Sequence, residues 1–229
     1  MRPGSLKRGR GARGRVLGLA WAGMAGLCLG DMAAQAATLF ATASVGPTGQ
    51  SGGVVASGGQ YVGFVFTLED RAQLTALGAH ITAGPTGGSI WAAIAEATES
   101  APSMEASQLL SQALFTTLWT PPSPSADARV SVDLVLNPGT YALVLGGNAL
   151  GSTGYARLPT VGVETPDARY FNSVAQGPWQ VDAYSGVRFV IEGELLPPIP
   201  LPGAGPLSLA LLGLVALACG RRTASARGV

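Results

Sequence analysis

The sequence predicts an all-β passenger domain, a two-sheet β-sandwich or jelly roll, held between two segments built for export. Three observations predict it. Short runs rich in Val, Ile, Phe, Tyr and Thr recur between residues 61 and 193, each bounded by Gly, Pro, Ser or Thr. No stretch of that region sustains a helical period. At both ends of the chain a charge-free apolar run is flanked by arginines, unlike anything in the middle.

Within the passenger, residues 61–67, 75–82 and 89–95 read as the first strands, and Gly84-Pro85-Thr86-Gly87-Gly88 supplies a turn between the last two. Two apolar runs, 130–136 and 140–145, flank Asn137-Pro138-Gly139, a pattern that predicts a hairpin. Residues 185–193 read as a closing strand. Residues 104–118 place Leu109, Leu110, Ala113 and Leu114 on one helical face, yet Phe115 to Leu118 suits a strand; the segment is read as loop followed by strand.

Charge divides the chain. Of 14 basic residues, six lie before residue 37 and three after residue 220, so residues 37–220 hold five against twelve acids, a net charge near −7. Nucleic-acid binding needs clustered Lys and Arg, and that partner is excluded. Lys7 is the only lysine, which removes Schiff-base, P-loop and isopeptide chemistry from the passenger. Cys28 and Cys219 both sit in the apolar end segments. The passenger therefore folds without disulfides, and a core from about 160 residues, burying roughly 70% of the unfolded surface, must suffice.

Residues 1–36 read as a signal peptide. A basic stretch to Arg15 precedes the apolar run 16–29, and Ala34-Gln35-Ala36 sets small residues at the −3 and −1 positions of a signal peptidase site before Ala37. The apolar run is shorter than the roughly 20 residues a membrane span requires. Without a twin-arginine pair, the general secretory translocon is the expected route. The passenger occupies residues 37–195. A spacer at 196–203 follows with four prolines, then an apolar helix at 204–220 that is just long enough to span, then a basic tail at 221–229. Arg221 and Arg222 stop the span and, by the positive-inside rule, place the tail in the cytoplasm.

Pro200, Leu201, Pro202, Gly203 and Ala204, the apolar helix and the terminal arginines together resemble the PEP-CTERM class of sorting signals, in a Pro-Leu-Pro variant. The resemblance implies an exosortase, a membrane-embedded cysteine transpeptidase, as partner. It also implies removal of the tail near residues 202–204 and delivery to the cell surface or extracellular matrix after transient membrane anchoring. The stretches LNPGTYALVLGG (136–147) and YSGVRFVIEG (184–193) resemble a passenger domain found ahead of such tails, which supports the fold rather than an activity.

Candidate chemistry is sparse. His80, the only histidine, lies in an alternating run without a Gly-x-Ser-x-Gly elbow, and reads as a strand-surface residue rather than a catalytic base. One histidine with no passenger cysteine cannot build the usual zinc set, so no metal and no cofactor are expected. Glu164, Asp167 and Asp182 offer oxygen ligands in loop-like connections but no spaced calcium motif. Tyr170, Trp179 and Tyr184 gather aromatic and polar character in a loop-like stretch, a candidate glycan-binding surface for exopolysaccharide. The alternative is that these aromatics cap the core at a sheet end. The expected function is a non-enzymatic surface or matrix protein with a structural or adhesive role. A carbohydrate-binding module and a secreted hydrolase are the alternatives.

Overall fold

Apolar side chains at every second position give a strand one greasy face, and that face requires a second layer to cover it. The computed structural model, which describes residues 37–160 and 162–198, meets this requirement with two antiparallel sheets. The signal peptide, sorting motif, apolar helix and basic tail expected from the sequence lie outside the described residues. In chain order the elements are β1 (Ala37–Ala41), β2 (Val54–Ala56), β3 (Gln60–Leu68), β4 (Ala72–Ala83), β5 (Ile90–Glu96), α1 (Leu109–Gln112), β6 (Phe115–Trp119), β7 (Ala126–Leu136), β8 (Gly139–Gly146), β9 (Ala156–Leu158), β10 (Arg169–Val174), β11 (Gln180–Val181) and β12 (Phe189–Leu195). The first sheet runs β1-β12-β4-β9-β2, with β7 also hydrogen-bonded to β4; the second runs β11-β10-β3-β8-β5-β6.

The sheets meet through one apolar cluster. Leu74, Leu77, Ala79 and Ile81 of β4 and Phe189 and Ile191 of β12 face Val62, Phe64 and Phe66 of β3 and Leu143 and Leu145 of β8. Phe64 stacks on Phe189 across the gap, ring centroids 5.1 Å apart and 24° from parallel, and Phe40 meets Phe66 at 5.1 Å. Leu74 and Leu77 are three residues apart yet both enter the core. In the β4–β12 register, Leu74 and Ala76 stand opposite the adjacent residues Gly193 and Glu192, so β4 carries one extra residue there, and that residue resets the alternation.

The second sheet is buried on its outer face as well. Residues 97–113, including α1, cross that face and bring Ala106 and Leu109 onto Tyr61, Trp91, Val144 and Phe171. Trp91 sits edge-on to Tyr61 at 4.8 Å and donates its indole N–H to the Gly147 carbonyl at 3.2 Å. Double-sided burial explains why Ile90 to Ala95 reads as an unbroken apolar run. The expectation of a loop followed by a strand over residues 104–118 agrees with this arrangement, apart from the single helical turn of α1.

The hairpin expected at Asn137-Pro138-Gly139 does not form. β7 pairs with β4 in the first sheet, whereas β8 lies between β3 and β5 in the second. Both edges of β8 are taken, and Val132 and Leu136 of β7 cover the core from the opposite side. The tripeptide is therefore a corner between sheets. Tyr141 braces it by donating its hydroxyl to the Asn137 carbonyl at 2.9 Å. The stretch around Tyr170, expected to be loop-like, contains strand β10, whose central residues are buried on both faces.

The first and last strands are neighbours. Ala37 pairs with Gly193, and β12 leaves the sheet at the same pole, where the Leu196 N–H reaches the Arg71 carbonyl at 2.7 Å. Pro197 and Pro198 follow at once and end the pairing. Because Phe189 touches both sheets, Phe189→Ala is expected to cost about 3–5 kcal/mol in urea unfolding; a loss below about 1 kcal/mol would show that the two sheets do not depend on this stack.

Candidate functional site

The three aromatics suggested by the sequence are structural members, Tyr170 and Tyr184 in the core between the sheets and Trp179 in the cluster on the outer face of the second sheet. Tyr170, on β10, is 2% exposed and donates its hydroxyl to the Val187 carbonyl at 2.7 Å. Burial pushes its ionisation up to about 12, so it stays a neutral donor. Tyr184 packs against it at 5.0 Å and donates to the Gly63 carbonyl at 2.7 Å. Trp179 meets the edge of Phe171 at 5.1 Å, and its indole N–H reaches the Met104 carbonyl at 2.7 Å. Tyr170 presents no ring face to solvent. Trp179 pins residues 97–113 onto the second sheet, a role that sequence spacing cannot show because Met104 lies 75 positions away.

His80 is not a surface residue, as the sequence suggested; it is 1% exposed. Its side chain lies on the outer face of the first sheet, in a row with Asp127 on β7 and Arg188 immediately before β12. Arg188 Nε reaches across the row to Asp127 Oδ1 at 3.1 Å and roofs the imidazole. Asp127 Oδ2 binds Arg129 at 3.0 Å, and Arg129 Nε binds Glu192 at 2.6 Å. The chain of four alternating charges thus straddles β4. Gly78 leaves room for it, since the Arg129 side chain lies where a Cβ on that residue would stand. Both ring nitrogens of His80 are buried without a hydrogen-bond partner among the described residues. Both Asp127 oxygens point to arginines, so no Ser-His-Asp relay is assembled around His80.

Burial alone would raise the Asp127 carboxyl, but the guanidiniums of Arg129 and Arg188 outweigh it and hold the group below the ordinary carboxylate value.

Recesses open at several places among the described residues. A cleft of about 680 Å³ runs between β1 and the edge of the second sheet, lined by Phe40, Phe66, Thr42, Thr67 and Thr165 together with Glu69, Glu99, Asp167 and Arg169; the Thr42 hydroxyl is engaged internally, donating to the Val187 carbonyl at 2.7 Å and accepting the Phe189 N–H at 2.9 Å. A smaller pocket of about 340 Å³ lies at the far end of β4, between residues 49–51, 82–85 and 123–124, with Arg157 in its wall.

No protein-family model and no curated protein sequence matches the chain. The site is therefore read from its own geometry.

Of the acids considered for calcium, Glu164 accepts the Gly186 N–H at 3.4 Å, Asp167 lies on the cleft, and Asp182 is exposed at φ 54°. Among the described residues no group of three His, Cys, Asp or Glu side chains gathers as metal ligands, and no helix is long and apolar enough to cross a membrane. Ala37 opens β1. Ala34, Ala36, Pro200 to Ala204, Arg221 and Arg222 fall outside the described residues.

Two outcomes follow from the charge row. Asp127 has a lowered folded-state value, so its contribution is complete above the ordinary carboxylate pKa and is lost as pH falls through the lowered one. Asp127→Asn is expected to cost about 1–3 kcal/mol at pH 7, with the gap to wild type closing below about pH 4 in urea titrations. A gap independent of pH would contradict the ion-pair account. His80→Leu removes two unpartnered polar atoms and is expected to be neutral or to stabilise by about 1 kcal/mol; a loss above about 2 kcal/mol would show that the imidazole has a partner.

Proposed function

We propose that this chain is an exported, non-enzymatic protein of the cell surface or extracellular matrix, with a structural or adhesive role. A C-terminal sorting signal delivers it, and an exosortase-type transpeptidase processes that signal. The reading rests on the two end segments of the sequence. What supports it in the fold is the pairing of Ala37 with Gly193, which sends both ends of the domain out at one pole. A body attached in this way projects away from its tether. Within the all-β class, we take the face-to-face sheets as a sandwich of the jelly-roll kind.

A second reading, a module that binds exopolysaccharide, draws on the recesses rather than on the aromatic trio. The cleft beside β1 combines the exposed Thr67 and Thr165 with the half-buried Phe40, the mix of hydrogen-bonding and apolar surface that a sugar requires.

The sorting claim has a direct measurement. Mass spectrometry of the exported protein is expected to find an N-terminus at Ala37 and a C-terminus near residues 200–204. Recovery of mature chains with intact peptides through Val229 would remove the processing step, and full-length chains retaining Met1 inside the cell would remove export altogether.

A further inference from the structure

We infer that the pocket at the far end of β4 is a binding site for a carboxylate-bearing sugar, a hexuronate unit, with Arg157 as the group that receives the carboxylate.

The argument begins with charge. Residues 37–198 contain five arginines in a strongly acidic domain. Arg129 and Arg188 are consumed by the row over His80, Arg169 stands among acids on the large cleft, and Arg71 directly follows Glu69 and Asp70 in the turn before β4. Arg157 differs, because no carboxylate lines its pocket and it forms no ion pair among the described residues. Its NH1 donates to the Ser51 carbonyl at 3.0 Å, which fixes the plane of the guanidinium, while its Nε is buried with no partner. A guanidinium has five N–H donors in a rigid fork that matches a carboxylate in two parallel bonds. A buried, unsatisfied Nε–H is costly unless something accepts from it. Because that nitrogen is closed to solvent, an entering carboxylate would meet Nη2 first, which has no partner among the described residues, and would reach Nε only with a small shift of the side chain.

The walls are built in advance of any ligand. Gln50 N–H is held by Ser125 Oγ at 2.8 Å, Ala83 N–H by the Pro122 carbonyl at 2.7 Å and Gly84 N–H by the Tyr155 carbonyl at 2.9 Å, which ties the three wall segments to one another and to β9. Arg157 itself projects from β9 opposite Thr82 of β4, on the outer face of the first sheet. Ser51, Thr82 and Ser123 contribute hydroxyls and Gln50 an amide, suited to a polyhydroxylated body. A volume of about 340 Å³ accommodates one pyranose ring with water. One guanidinium and no lysine suit a single negative charge better than a dianionic phosphate.

Position adds weight. Leu195, where the chain leaves the sheet, pairs with Ala72 at one end of β4, and the pocket lies at Thr82 and Ala83 at the other. The step from Ala72 to Thr82 along β4, about 33 Å at ~3.3 Å per residue, separates them. The pocket is thus at the pole remote from the tether proposed above, although the binding claim stands whether or not the chain is exported.

The test is a titration of the purified protein with sodium glucuronate, glucose and inorganic phosphate, followed by calorimetry and by amide chemical shifts. Saturable glucuronate binding is expected, with glucose at least about tenfold weaker and shifts centred on Gln50, Ser51 and Ser123. Arg157→Gln is expected to weaken glucuronate about tenfold or more at an unchanged melting temperature, and Arg157→Lys to retain part of the affinity. If Arg157→Gln fails to fold, the wild-type shift map decides: changes clustered at the pocket support the site, and changes elsewhere overturn it. Absence of saturable glucuronate binding, equal affinity in a folded Arg157→Gln protein, or phosphate binding as tight as glucuronate would each overturn the assignment.

Discussion

Strand β4 is hydrogen-bonded to β12 along one edge and to β7 along the other for most of its twelve residues, and its last two residues pair with β9. Its inner side chains, Leu74, Leu77, Ala79 and Ile81, form the floor on which the second sheet rests. The outer side has to be narrow, because the charged chain from Arg188 to Glu192 passes over it. Gly78 satisfies that limit with no side chain, and His80 satisfies it by lying beneath the roof. A domain without disulfides gains from ion pairs of this kind only when their partners are held in place, and three hydrogen-bonded antiparallel strands do that here.

How much was legible in the sequence depended on whether a signal was local. The β-rich class and the approximate positions of β3, β4, β5, β7, β8 and β12 follow from runs of Val, Ile, Phe and Tyr between turn residues. Pairing did not follow. Asn137-Pro138-Gly139 has the composition of a tight turn, but a corner between two sheets needs the same residues, and only the partners of β7 and β8 separate the two cases. Strand β10 was missed because its residues alternate poorly in polarity, and they do so because residues 97–113 cover its outer side. That cover is itself a long-range event, linked through Trp179 and Met104.

The candidate sites divide along the same line. Composition groups Tyr170, Trp179 and Tyr184, but only the two tyrosines pack together, and Trp179 lies on the other face of the second sheet; composition also omits that Val187, Met104 and Gly63 take up their polar atoms. Arg157 gave no signal in the sequence, being one arginine amid neutral residues. Its interest comes from residues at 49–51, 82–85 and 123–124, which are scattered along the chain and converge only in the fold.

The placement of β12 between β1 and β4 also has a mechanical side. Tension applied to the tail enters along the axis of β12, which is laddered to neighbours on both edges. Hydrogen bonds perpendicular to that axis are then loaded together in shear rather than opened one after another as in a zipper. A tail attached to an edge strand and pulled sideways would peel away bond by bond. In this fold, a pull on the chain where it leaves β12 meets the whole width of the interior ladder at once.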